Sequence, residues 1–81
     1  MTRDILRGEI KAMIADLLEI DDFSDDAHFL RDLRADSMLL QELVVKLEKR
    51  YEVSFSNEKL RTMRCLKDVV QVTFELLKLP S

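Results

Sequence analysis

Apolar residues near the start of the chain recur at steps of three and four. Ile5, Leu6, Ile10, Met13, Ile14, Leu17 and Leu18 fall on one stripe, which predicts an amphipathic helix, helix I, over residues 2–18. Thr2 is suited to the N-cap, and Asp4 sits in the first turn, where the helix dipole favours negative charge. Gly8 interrupts this pattern at up to about 1 kcal/mol against Ala, so either packing overrides the penalty or a neighbouring segment needs the space. Periodicity stops over residues 19–35, where aspartates alternate with isolated Ile20, Phe23, Phe29, Leu30 and Leu33. That mixture predicts a long loop pinned to the core, and loops of this length in compact domains are usually functional.

The helical period resumes over residues 37–51, helix II. At 100° per residue, Leu40, Leu43, Val44, Leu47 and Tyr51 share the face assigned to the core. Ser37, Met38, Gln41, Glu42, Val45, Glu48 and Lys49 face outward, and Met38, Glu42, Val45 and Lys49 line up along one ridge. Residues 52–57 break the period, with Val53 and Phe55 pointing one way. Ser56 or Asn57 caps a short helix III that runs through Arg61. Helix IV covers residues 66–77, with Leu66, Val69, Val70, Phe74 and Leu77 inward, and Pro80 prevents its continuation. The predicted fold is therefore all-α: a small four-helix bundle of three longer helices and one short helix III, with a long loop between helices I and II.

Composition supports this reading and narrows the chemistry. The 81 residues suffice for one domain, 1–81, with a modest core and no walled catalytic cleft. Hydrophobic residues make up 47% and charged residues 36%, with one Gly, one Pro and no Trp, a balance that favours packed helices. A net charge of −3 and a pI near 5.1 disfavour nucleic acid as a partner, because phosphate neutralisation needs a basic patch. No run has the apolar length of a membrane span and no signal-peptide segment opens the chain, so the expected location is the cytoplasm, as a monomer. Cys65 is alone, which rules out an internal disulfide. With a single His as well, the chain lacks a zinc-ligand set, and no metal is expected.

The residues offer four candidate sites. An EF-hand beginning at Asp22 fails, because its sixth position is Ala27 where Gly is required and its twelfth is Leu33 where a bidentate Glu is required. His28 has no thiol or second histidine nearby in sequence and reads as a structural histidine. Cys65-Leu66-Lys67-Asp68 has the spacing of a capping box with Cys in the accepting position, so a weak cap and a packing role are expected for Cys65. The remaining candidate is the corner Leu33-Arg34-Ala35-Asp36-Ser37-Met38. Asp36 is suited to cap helix II, which leaves Ser37 at the first helical position, hydroxyl outward, at the positive end of the dipole. Such a position suits a phosphate ester.

The order of helix, acidic loop, Asp36-Ser37-Met38, amphipathic helix, short helix and last helix resembles the acyl carrier proteins, discrete carriers whose signature is Asp-Ser-Leu at the start of the second helix. The resemblance extends from Ile10 to Leu77 and includes Asp32-Leu33, Glu42-Leu43-Val44, Leu47-Glu48 and Asp68-Val69-Val70. It implies that Ser37 carries a covalent 4′-phosphopantetheine. By this similarity a phosphopantetheinyl transferase with its magnesium would direct Ser37 Oγ onto the pyrophosphate of coenzyme A. The arm's thiol, and not Cys65, would then hold acyl groups as thioesters. The chain would be a carrier and not an enzyme, exchanging acyl groups with an acyltransferase or ligase and a ketosynthase. Partner contacts are expected from Met38, Leu39, Gln41, Glu42, Val45 and Lys49.

This chain also departs from the family pattern. Arg34 stands where a Gly commonly precedes Ala-Asp-Ser, implying a different backbone geometry at the corner. Leu39 replaces a frequent acidic residue two places after the serine, and Lys46, Lys49 and Arg50 follow in helix II. Charge patterns select partners, so a polyketide or mixed polyketide–nonribosomal peptide carrier is favoured over a housekeeping fatty-acid carrier. A helical interaction module without a prosthetic group, holding a partner helix on the Met38/Val45 ridge, stays open. A small hydrolase using Ser37, His28 and an Asp is the third reading, although no oxyanion hole is evident. Leu40, Leu43, Val44, Leu47 and Leu66 could line an interior pocket, though a filled core is the commoner state of such residues.

Overall fold

The computed structural model describes residues 2–78 and has four helices: α1 (Arg3–Leu18), α2 (Ser37–Tyr51), α3 (Asn57–Thr62) and α4 (Leu66–Leu77). These correspond to helices I to IV, with Thr2 outside α1 as its cap and α3 one residue longer than expected. Thr2 accepts the Ile5 N–H, Asp36 that of Leu39 and Ser56 that of Lys59, so three of the four helix starts hold a side-chain cap. Cys65 makes no cap hydrogen bond; Asp68 instead accepts the Arg64 N–H at 3.0 Å. The expectation for Pro80 lies outside the described residues.

Helix α1 packs against α4 and, less extensively, against α2. Leu6, Ile10 and Ile14 meet Leu43 and Leu47 of α2 and Leu66, Val69 and Val70 of α4 in one core, to which the loops add Phe23, Phe29, Ala35 and Phe55. Two face assignments change, those of Ile5 and Glu48. Ile5, placed in the stripe of helix I, is 53% exposed. In α4, Phe74 and Leu77 pack half-buried against the core as assigned, and Val72 and Thr73 are buried in addition. Glu48, assigned outward, is half-buried because its Oε2 accepts the Phe55 N–H at 2.9 Å and fixes the turn after α2.

Gly8 is not needed for space. A Cβ built there meets nothing within 4 Å. Left-handed backbone occurs instead at charged residues: Glu19, Glu52 and Lys78 end α1, α2 and α4 with φ of 57°, 53° and 53°, and Arg34 has φ of 55°.

The loop of residues 19–36 is held from both sides. Arg7 donates to both carboxylate oxygens of Asp25, and Lys11 pairs with Asp22 at 2.9 Å. The Asp25 carbonyl accepts the Lys67 N–H at 3.1 Å, and the Arg64 carbonyl accepts that of Phe29 at 2.9 Å. Buried Phe23, Phe29 and Ala35 complete the attachment to the core. A loop fixed to α1 and to the start of α4 delivers the chain to α2 in a defined direction.

Candidate functional site

The site begins at the corner that ends this loop. Phe29 is buried, and its carbonyl accepts the Ala35 N–H at 2.8 Å, so the corner is tied to the core one residue before the cap. Between them, His28 organises a tight turn. Its N–H donates to Asp32 Oδ2, and its Nδ1 accepts from the N–H groups of Leu30 and Arg31 at 3.1 and 3.2 Å. With its N–H and its Nδ1 both engaged by the turn, His28 holds residues 28–32 together.

Arg34 supplies the sharp change of direction. Its backbone is in the left-handed region that glycine adopts most easily, with φ of 55°. Asp36 then adopts extended backbone (φ −82°, ψ 174°), and its Oδ1 accepts the Leu39 N–H at 2.9 Å. Its carbonyl accepts the Leu40 N–H at 3.1 Å, which starts the helical ladder.

Ser37 is exposed at the first residue of α2. The N–H groups of the first helical turn point at this end, and the aligned peptide dipoles make it positive, a setting favourable to a phosphodiester. From Leu40, one helical turn past the serine, an apolar groove of about 360 Å³ runs along α2, walled by Leu40, Leu43 and Val44 and by Phe29, Leu60 and Met63. Leu47 and Leu66 are fully buried, the filled-core state expected as the commoner one for such residues. A second, more open groove is lined by Met38, Gln41, Glu42, Val45, Lys46 and Lys49. Gln41 and Val45 border both grooves. Met38 and Val45 are 72% and 50% exposed, and both stand on the outer ridge as the helical period predicts.

Leu39 does not belong to this surface. It is half-buried and faces Ile14, Leu17, Leu18 and Ala35, closing the space between α1 and α2. Arg50 is also committed elsewhere, 3.5 Å from Glu9 on α1. Its neighbour Tyr51 donates to the same carboxylate at 2.8 Å, and burial, reinforced by Glu9, pushes the phenol up to about 12. The far end of α2 is therefore clamped to α1, which steadies the helix carrying Ser37. Sequence periodicity gave no sign of the Glu9 contacts, since they join residues far apart in the chain.

Cys65 does not offer a second nucleophile. It is half-buried, and burial raises its thiol above the ordinary value, so the neutral form dominates. Among the described residues, no helix is long and apolar enough to cross a membrane.

Comparison with known proteins agrees with this geometry. The family described as "phosphopantetheine attachment site" matches residues 8–72. A protein of Streptomyces avermitilis named "Polyketide-8 synthase acyl carrier protein 2" is 37% identical over 73 residues, covering 88% of this chain and 79% of that protein. An acyl carrier protein of Brachyspira hyodysenteriae is 48% identical over 56 residues, or 65% of this chain and 72% of that protein. Another, from Petrotoga mobilis, is 32% identical over 81 residues, 98% of this chain and 95% of that protein. A four-helix chain with an exposed serine beside an apolar groove, matched in this way over most of its length, belongs to the acyl carrier protein family, whose cofactor is a covalently attached 4′-phosphopantetheine.

Proposed function

We propose that Ser37 is the residue that receives the 4′-phosphopantetheine arm, and that the chain carries acyl intermediates of polyketide or mixed polyketide–nonribosomal peptide biosynthesis. The observation supporting the first part is the exposure of Ser37 at a capped helix start. Its hydroxyl stands clear of the bundle, with no base positioned to make it a catalyst of its own and room for a transferase to approach. When bound, the arm supplies a thiol that holds acyl groups as thioesters. The protein's own residues do the rest. Asp36 and the Phe29–Ala35 hydrogen bond hold the attachment point rigid, the N-terminal dipole of α2 favours the phosphodiester, and the apolar groove offers shelter from water beside the attachment point. No catalytic role falls to the chain, and the transferase and the acyl-processing enzymes act on it.

Incubation with coenzyme A, magnesium and a broad-specificity phosphopantetheinyl transferase, read by intact mass, tests this reading. The wild type gains the mass of one phosphopantetheine and Ser37→Ala gains none. No gain under conditions that load a control carrier would overturn the assignment.

The pathway rests on narrower support: the Streptomyces avermitilis relative is a polyketide synthase carrier by name, and Lys46 and Lys49 stand exposed on α2. Relatives named only as acyl carrier proteins match as well, which keeps a housekeeping fatty-acid carrier as the second reading. Mass spectrometry of the thioester on protein isolated from its own cell separates the two. β-Keto, branched or aminoacyl cargo supports the proposal, and a series of straight saturated chains contradicts it.

A further inference from the structure

Ser37 sits at one end of a ridge that runs the length of α2, and the charge on that ridge opposes the charge of the molecule. Over residues 19–36 the chain has seven carboxylates and two guanidiniums, a balance of −5 in a protein of net charge −3. Along the outer groove of α2 the balance is Lys46 and Lys49 against Glu42, or +1. Neither lysine takes part in an ion pair among the described residues, where the paired cations are Arg7, Lys11, Arg50 and Lys59. Even Glu42, four residues before Lys46 and well placed for a helical pair, makes no contact with it within ion-pair distance. Between these charges lie the two most exposed apolar side chains of the helix, Met38 and Val45. The groove from Met38 to Lys49 spans about 16 Å of helix, enough to seat about three turns of a partner helix.

Building on the carrier reading, we infer that the enzyme docking along this ridge presents an apolar anchor to Met38 and Val45 flanked by carboxylates that meet Lys46 and Lys49. A basic docking face would be drawn to the acidic loop and repelled at the far half of α2. An acidic face is steered away from the loop and onto the ridge, so charge alone gives the encounter its orientation. Met38 supplies a side chain that adapts to the anchor. Lys46 and Lys49, on flexible stems, reach carboxylates without requiring the rigid two-point geometry of arginine.

The test uses the whole ¹⁵N-labelled chain and two synthetic amphipathic helical peptides that share a Leu/Phe face. One has glutamates flanking that face and the other lysines. The Glu-flanked peptide is expected to bind at least about tenfold more tightly at low salt and to shift the amides of Met38, Val45, Lys46 and Lys49, with the preference shrinking as salt screens the charges. Lys46→Gln/Lys49→Gln abolishes the preference and Lys46→Glu/Lys49→Glu reverses it, with circular dichroism confirming an intact bundle. Equal affinity for the two peptides, or a preference that persists in the Glu variant, overturns the inference. So do shifts confined to residues 19–36, and so does comparable binding to phosphatidylglycerol vesicles, which would make the ridge a lipid-facing surface. Loading of Ser37, followed by mass in the same samples, keeps the two claims apart. A chain that loads but shows no peptide preference refutes only the acidic partner, whereas a chain that does not load refutes the carrier reading beneath it.

Discussion

Replacing Asp36 with alanine removes the carboxylate that caps α2 beside the attachment serine. One side-chain hydrogen bond is lost, from the Leu39 N–H at 2.9 Å, while the backbone bond from the Leu40 N–H to the Asp36 carbonyl does not depend on the side chain. Asp36 is exposed, so water can reach the freed N–H and the full penalty of a buried unsatisfied donor does not apply. A lost N-cap costs about 1 kcal/mol, and losing negative charge at the positive helix end adds a few tenths. An unfolding entropy of about 2.1 cal/mol/K per residue gives roughly 0.17 kcal/mol/K for the 81-residue chain. The melting temperature of Asp36→Ala should therefore fall by about 7 °C. Asp36→Asn retains an acceptor and should lose only about 2 °C, mostly through the charge. Thermal melts followed by circular dichroism measure both, and hydrogen exchange at the Leu39 amide reports the cap itself, with faster exchange expected in the alanine variant alone. A melt of Asp36→Ala within about 1 °C of wild type, or equal losses in the two variants, would refute the hydrogen-bond account.

Four further outcomes follow from the structure. Gly8→Ala should stabilise the chain by up to about 1 kcal/mol in chemical denaturation, because the added methyl meets nothing and the helix gains propensity; a loss of stability would mean that the site is not open. Thr73 is fully buried with a hydroxyl that has no hydrogen-bond partner, so Thr73→Val should raise stability by about 1 kcal/mol, and a lower melting temperature would reveal a hidden partner. At Arg34 the left-handed backbone should make Arg34→Val cost about 1–2 kcal/mol, with Arg34→Gly nearly neutral; equal denaturation midpoints for the two would argue against that backbone. Hydrogen bonds from Arg7, opposed by partial burial, hold Asp25 below the usual carboxylate range, and Lys11 does the same for Asp22. A lowered carboxylate stabilises the fold above its unfolded pKa and loses that contribution as pH falls through the folded one, so stability should hold above pH about 5 and drop below about 4. Asp25→Asn should be less stable at neutral pH with a shallower acid loss, read from urea midpoints across pH.

Helix periodicity was legible wherever a stripe was long and its ends carried caps. The bounds of α2 and α4, the caps Thr2 and Asp36, and the position of Ser37 could all be read from local residues, because each depends on neighbours within one helical turn, while Ser56 was one of two candidates for the cap of α3. What the sequence could not show depends on which element lies opposite. Ile5 fits the stripe of α1 yet is exposed near the helix start, and Thr73 fits a polar position yet is buried. Leu39 stands beside the serine, where the family resemblance places partner contacts, whereas here it closes the space between α1 and α2. Glu48 looks solvated until the turn after α2 brings the Phe55 N–H to it. The left-handed Arg34 had no local signal, since the residue there was not a glycine. The clamp of Glu9 on Arg50 and Tyr51 likewise required the packing of α1 on α2.

The central claim is that Ser37, and no other hydroxyl, receives the arm. Ser24, Ser54 and Ser56 are exposed as well, but Ser56 is engaged as the cap of α3 and Ser24 Oγ accepts the Asp26 N–H. Proteolysis of the transferase-treated protein followed by tandem mass spectrometry locates the added group directly. The expected result is a single modified peptide spanning the start of α2, with the phosphopantetheine on Ser37. Modification at any other residue, or retention of the full mass gain in Ser37→Ala, would contradict the account.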